Sequence, residues 1–235
     1  MALEAVADNL RAVRSRIEAA AQRAGRDPGS VTLVAVSKTF DVDHVRAAAA
    51  AGQHDFGENK VQEGLQKIEA AADNEIRWHL IGHLQSNKAK KAAAAFAAIH
   101  SVDSLDLLRR LDDAAGAQGA GPEILVQVDL AGETTKFGAA ANEAQRIAEA
   151  ASQAKAVKLV GLMLLPPWNE DQEQTRPWFV RLRELRDEWI AGGFPADQLR
   201  HLSMGMSHDF EAAIEEGATI VRVGTAIFGK RTSKT

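Results

Sequence analysis

The chain is 235 residues long, 46% hydrophobic and 26% charged, the composition of an ordinary globular protein. Its 28 Lys and Arg against 32 Asp and Glu leave a formal net charge of −4, which argues against a surface built to coat nucleic acid or an anionic membrane. With no Cys and no Tyr, the sequence excludes disulfides, thiolate metal sites, cysteine nucleophiles and any tyrosyl acid or base.

The longest apolar run, Leu159 to Leu165, is too short to span a bilayer. Glu4 and Asp8 stand where a secretory signal would carry positive charge, so a cytoplasmic enzyme or small-molecule binder is expected. Val6, Leu10, Val13 and Ile17 recur at helical spacing, and Gly25 with Asp27-Pro28-Gly29 stops that helix. Val31 to Val36 is a β-branched apolar run between turn signals, a buried strand, followed by a helix over 43–51. The alternation then continues, with strands predicted over 54–56, 77–81, 98–102, 123–128, 158–164, 199–202 and 219–223. Helices are predicted between them over 61–72, 86–95, 142–154 and 209–216. A further helix starts at Ser104 as N-cap and buries Leu105, Leu108 and Leu111, and another carries Trp178, Leu182, Leu185 and Trp189 on one stripe.

Eight strands separated by helices predict an α/β fold, a single (β/α)8 barrel of the TIM type over 1–235 with an extra N-terminal helix. An open doubly wound sheet is the alternative. About a dozen residues follow the last strand, too few for a full outer helix, so the N-terminal helix is expected to fill that gap. Residues 229–235 are expected to form a flexible tail.

Barrel chemistry belongs at the C-terminal ends of the strands. Those positions are Lys38, Asn59, His83, Asp103, Asp129, Met163, Ser203 with Met204, and Gly224 with Thr225. Most lysines are solvated surface residues. Lys38, however, is carried to the barrel mouth by a buried strand, where partial desolvation favours its neutral amine for imine formation. Ser203-Met-Gly-Met-Ser207 and Gly224-Thr225 follow strands seven and eight, where barrels often hold phosphate; ordinary turn chemistry is the alternative for either loop. By strand alternation Arg222 shares a side with Ile220 and Gly224, and either reaches a ligand at the mouth or forms a buried ion pair. His79 and His83 read as part of a strand end without the further ligands zinc requires, so no metal is expected. Asp41-Val-Asp43 and Asp112-Asp113 read as caps and solvated face, and Gly116 to Gly121 as a turn.

Several blocks in order give the chain a family likeness. They are Val34-Ala-Val-Ser-Lys38, Phe56-Gly-Glu-Asn59 with Val61-Gln-Glu63, Trp78-His-Leu-Ile-Gly82, Gly161-Leu-Met163, Leu202-Ser-Met-Gly-Met-Ser207 with Asp209, and Val221-Arg-Val-Gly-Thr-Ala-Ile-Phe-Gly229. With these the chain resembles the pyridoxal phosphate homeostasis proteins, barrels related to the N-terminal domain of bacterial alanine racemases. The resemblance implies pyridoxal 5'-phosphate as cofactor, held as a Schiff base on Lys38. It implies Ser203, Gly224 and Thr225 at the phosphate, Met204 beside them, Arg222 facing the pyridine nitrogen, and Asn59 and His83 lining the pocket. It implies a monomeric carrier or regulator in vitamin B6 homeostasis that influences amino-acid and keto-acid balance, with apo pyridoxal phosphate-dependent enzymes as recipients. An active amino-acid racemase is the alternative, although related racemases use a tyrosine from a second domain. Two departures stand out: Lys60 where relatives often carry an aromatic residue, and the bulky Leu164-Leu-Pro-Pro-Trp168.

Overall fold

A computed structural model describes residues 3–132 and 137–229. The tail expected after Gly229 lies outside the described residues.

Eight parallel strands close on themselves. They are β1 (Thr32–Val36), β2 (Asp55–Glu58), β3 (Arg77–Leu80), β4 (Ala98–Val102), β5 (Glu123–Asp129), β7 (Lys158–Leu164), β8 (His201–Ser203) and β9 (Ile220–Val223). Each pairs with the next, and β9 returns to β1 through Thr32 opposite Ile220 and Val34 opposite Arg222. This is the predicted TIM-type barrel, and the open sheet is excluded. A two-residue strand, β6 (Ala139–Ala140), adds to the upper end of β5.

Both faces of the sheet are buried, so the strands read as continuous apolar runs. Leu33, Ala35, Val221 and Val223 belong to the large cluster between sheet and helices, whereas Val34, Leu125, Val160, Met163 and Ile220 form a separate cluster in the barrel interior. The outer ring comprises α2 (Val42–Ala50), α3 (Val61–Ala71), α4 (Ala89–Ala95), α5 (Leu105–Gly116), α6 (Ala141–Ser152), α7 (Arg176–Ala191), α8 (Phe210–Glu215) and a one-turn α9 (Thr225–Phe228). Because α9 is so short, α1 (Glu4–Arg23) packs against α8, α9 and α2 and completes the ring, as the sequence predicts. Val6, Leu10, Val13 and Ile17 are its buried stripe. Asn9 caps the carbonyl of Ile227 at 2.8 Å, and Arg26 donates to the carbonyls of Ile214 and Ala218.

Three local expectations shift. Ser104 does N-cap α5, accepting from the Leu107 N–H, but Leu107 is buried with Leu108 and Leu111 while Leu105 is half-buried. On α7 the buried stripe is Phe179, Leu182, Leu185 and Trp189. Trp178 and Phe179 lie four and three residues before Leu182, so either could extend the stripe; Phe179 does, and Trp178 stays half-buried at its edge. Residues 196–199 wind into a 3-10 turn, so β8 starts at His201.

Candidate functional site

The C-terminal ends of the strands surround a cavity of about 630 Å³. Lys38, Asn59, His83, Arg222, Gly224 and Thr225 all line it, although they come from four strand ends and span most of the chain. Among the described residues no carboxylate lines this cavity, while Lys38, Arg222, His83 and His208 do. A groove of about 730 Å³ between α6 and α7 contrasts with it: it holds Glu149 and Glu188, no described cation, and lies on the outer ring away from the strand ends.

Lys38 follows β1 directly, and the backbone on both sides of it is tied down from behind. The buried Lys67 of α3 donates to the Ser37 carbonyl at 2.7 Å, to Glu58 Oε1 at 2.6 Å and to Glu63 Oε1 at 3.0 Å. The Ser37 hydroxyl donates to Glu58 Oε1 at 2.6 Å, and the Thr39 N–H to Glu63 Oε1 at 2.6 Å. Thr39 sits at φ 71°, a conformation that costs a β-branched residue about 1–3 kcal/mol and persists only where its surroundings hold it. The Glu63 carboxylate is that hold. Burial raises the pKa of Glu58 against the opposing effects of Lys67 and Ser37. For Glu63 burial acts the same way, but the Thr39 N–H and Lys67 outweigh it and the pKa is lowered. The sequence reading missed this cluster, because Glu63 and Lys67 at i,i+4 look like an ordinary surface pair.

Asn59 is held by the β3 loop. A Cβ on Gly82 would lie 2.2 Å from the Asn59 carbonyl oxygen, so only glycine allows that approach. Asn59 lines the cavity, and its Oδ1 is buried with no hydrogen-bond partner among the described residues. His83 pairs with Asp103 at 3.5 Å and stacks on Phe137, centroids 3.6 Å apart and planes within 9°. Gln127, buried inside the barrel, donates to the Phe137 carbonyl at 2.7 Å and so fixes that partner. Leu165, Pro166 and Trp168 form the facing wall, with Trp168 68% exposed and 6.4 Å from the His208 ring. Lys60 is exposed and stands outside the cavity.

The β8 loop departs from the expected assignment. Ser203 and Met204 are fully buried and do not line the cavity. The Ser203 hydroxyl sits inside the barrel, 2.9 Å from His100 Nδ1 and accepting from Arg222 at 2.5 Å, while Met204 joins the core beneath the helices. Gly205, at φ 90°, then turns the chain, and Ser207 presents its hydroxyl to the cavity, accepting from the Gly224 N–H at 3.1 Å. Asp209 fixes this turn by accepting from the Met206 N–H at 2.6 Å. The serine grouped with Gly224 and Thr225 is therefore Ser207.

Of the two alternatives left by its strand position, the structure puts Arg222 at the cavity, buried and held by hydrogen bonds to Ser203 and Leu164, with no ion pair to it among the described residues. It donates to the Leu164 carbonyl at 2.9 Å, and burial pushes its pKa down to about 10, with Asp209 opposing. It still carries its charge at neutral pH. The remaining strand-end residues act elsewhere: Asp129 accepts from the Ala131 and Gly132 N–H groups, and Met163 fills the interior. His79 does not pair with His83 but bonds Asp55 and His100 within the barrel.

Residues 8–232 match the family described as alanine racemase, N-terminal domain. The chain is 44% identical over 229 residues to the pyridoxal phosphate homeostasis protein of Pseudomonas aeruginosa, covering 97% of both chains. It is 43% identical over 224 residues to that of Aquifex aeolicus, covering 95% of this chain and 97% of the relative. Among solved structures it is similar to PipY of Synechococcus elongatus with PLP bound, at TM-score 0.84 and 40% identity, covering 95% of this chain and all of the other. The alanine racemase of Clostridium difficile shares the fold at TM-score 0.73 and 15% identity, and this chain spans 58% of its length. The chain thus belongs to the pyridoxal phosphate homeostasis protein family, built on the barrel of the alanine racemase N-terminal domain.

Proposed function

We propose that this chain binds pyridoxal 5'-phosphate in the strand-end cavity, anchored covalently through a Schiff base on Lys38, and serves vitamin B6 homeostasis as a carrier or regulator. The observation that carries this reading is convergence. One amine, one buried guanidinium and the Ser207–Gly224–Thr225 corner face one cavity without a described carboxylate. The cofactor supplies an aldehyde on an anionic, aromatic frame, and the residues present fit it. Lys38 provides the amine that condenses with the aldehyde, with loss of water. The hydroxyls of Ser207 and Thr225 face the phosphate, where Gly224 keeps the backbone close: a Cβ there would lie 3.1 Å from the Val36 carbonyl oxygen. Arg222 faces the ring nitrogen, and the unpartnered Asn59 Oδ1 accepts from a donor on the ring or on water it orders. His83, sandwiched with Phe137, closes one face. The PLP-bound relative supports the same ligand here, and the resemblance supports a monomeric, cytoplasmic carrier with apo pyridoxal phosphate-dependent enzymes as recipients.

Borohydride reduction of the loaded protein followed by peptide mass spectrometry tests the anchor. The expected product is a phosphopyridoxyl group on Lys38, absent in Lys38→Ala, which retains weaker noncovalent binding. A stoichiometric adduct on another lysine, Lys60 for example, overturns the assignment.

A further inference from the structure

A row of buried polar side chains runs through the barrel from its lower rim to the cavity. At the lower end Asp55, the first residue of β2, lies 2.9 Å from His79 Nε2. His79 Nδ1 is 3.0 Å from His100 Nε2, and His100 Nδ1 is 2.9 Å from the Ser203 hydroxyl. Arg222 donates to that hydroxyl at 2.5 Å and lines the cavity. His79, His100, Ser203 and Arg222 are each no more than 3% exposed.

The two ends fix the direction of every bond between them. A guanidinium can only donate and a carboxylate can only accept. If Arg222 donates to Ser203, the serine proton must go to His100 Nδ1, the one other partner of that hydroxyl among the described residues. His100 then carries its own proton on Nε2 and gives it to His79 Nδ1, leaving the His79 proton on Nε2, directed at Asp55. Every donor has an acceptor and both imidazoles are neutral. The reverse order would leave the serine proton without an acceptor in the barrel, a cost of about 1–3 kcal/mol. The surroundings agree: burial first, then His79, Arg222 and His201, hold the pKa of His100 well below its ordinary value of 6.5.

We infer that His100 is a positioning residue: through Ser203 it orients the Arg222 guanidinium toward the cavity, at the end of a one-way hydrogen-bond chain anchored on Asp55. The chain does not conduct protons, because arginine closes its upper end and releases none at physiological pH. It fixes a cation whose direction decides how a bound heteroaromatic nitrogen is solvated. This rests on the cofactor reading above only for its effect on ligand spectra; the proton arrangement stands without it.

Two measurements on the full-length protein test the inference. In ¹⁵N-histidine spectra of the wild type at neutral pH, His79 and His100 should both appear as neutral Nε2–H tautomers, as the bond directions require. A doubly protonated ring, or an Nδ1–H tautomer at either position, overturns the chain. In protein loaded with pyridoxal phosphate, His100→Asn keeps an acceptor near the Nδ1 position and should preserve the wild-type absorption maximum and release rate. His100→Gln, with its polar group near the Nε2 position, and Ser203→Ala should both shift the band and speed release by roughly tenfold, the scale of one hydrogen bond to a charged group. Wild-type spectra and release in these two variants, or rescue by Gln and not by Asn, overturn the positioning role. A wild type that takes up no pyridoxal phosphate would instead overturn the cofactor reading, with the tautomer measurement still deciding the chain.

Discussion

Single side chains at the mouth divide the labour between a ligand's phosphate and its aldehyde. Ser207→Ala and Thr225→Ala should weaken pyridoxal phosphate more than unphosphorylated pyridoxal, because each removes a cavity hydroxyl that the proposed binding mode directs at the phosphate and leaves Lys38 untouched. Titration of both ligands checks this; equal losses would show that the residues merely shape the loop. A second prediction concerns Glu63. A carboxylate whose pKa is lowered on folding stabilises the fold at neutral pH, and loses that contribution as pH falls below its ordinary value near 4.5. Glu63→Gln keeps an acceptor for the Thr39 N–H but removes the charge facing Lys67. Its stability deficit against wild type should therefore be largest near pH 7 and close on acidification, as followed by urea unfolding at several pH values. Lys38 was legible in the sequence because a buried run delivers it to a strand end. Ser207 was legible only as the end of the loop after strand seven: the strand-end position pointed to Ser203, and the left-handed turn at Gly205 is what brings Ser207 to the cavity. His100 was hidden for another reason: in a strand buried on both faces, nothing in the run Ala98-Ile-His-Ser-Val102 tells barrel interior from helix side.

At the scale of elements, α1 fills the place in the outer ring that the one-turn α9 leaves open. Its register is set by Leu10, fully buried, and by cross-links to α8 at Arg16–Glu211 and Arg23–Glu215. These ion pairs are exposed and contribute little, so packing carries the helix. Leu10→Ala should cost about 3 kcal/mol, whereas Arg23→Ala should cost under ~1 kcal/mol, as measured by denaturant midpoints. Asp112 shows a complementary device. Read from sequence as cap or solvated face, it accepts from the backbone N–H groups of Lys155, Ala156 and Val157, and so binds the start of β7 to the end of α5. The order and number of the strands were legible because apolar runs alternate with helical stripes. The one-turn α9 was not, since four residues offer no periodicity to read.

For the molecule as a whole, the question is whether the barrel alone turns over amino acids. Racemisation needs acid/base groups on both faces of the reacting carbon. Lys38 can serve one; there is no Tyr anywhere in the chain, and His83 at the mouth is committed to Asp103 and Phe137. A permanent guanidinium at Arg222 also disfavours protonating a facing ring nitrogen, which weakens the electron sink. Loss of one positioned acid/base group typically costs about 10²–10⁴-fold. The expected result for L-alanine in deuterium oxide is negligible α-proton exchange and retained chirality; turnover at roughly 1–10³ per second, lost in Lys38→Ala, would contradict it. The pairing of β1 with β9 has a further consequence, in the order of assembly. Lys38 leaves the first strand, whereas Arg222, Gly224 and Thr225 belong to the last strand and its end, so the two halves of the cavity meet only when contacts distant along the chain form. Contacts of that separation form late and slow folding. A growing polypeptide therefore carries Lys38 long before it owns the Ser207–Gly224–Thr225 corner, and, on the proposed function, gain of ligand colour during refolding would report the final closure of the ring.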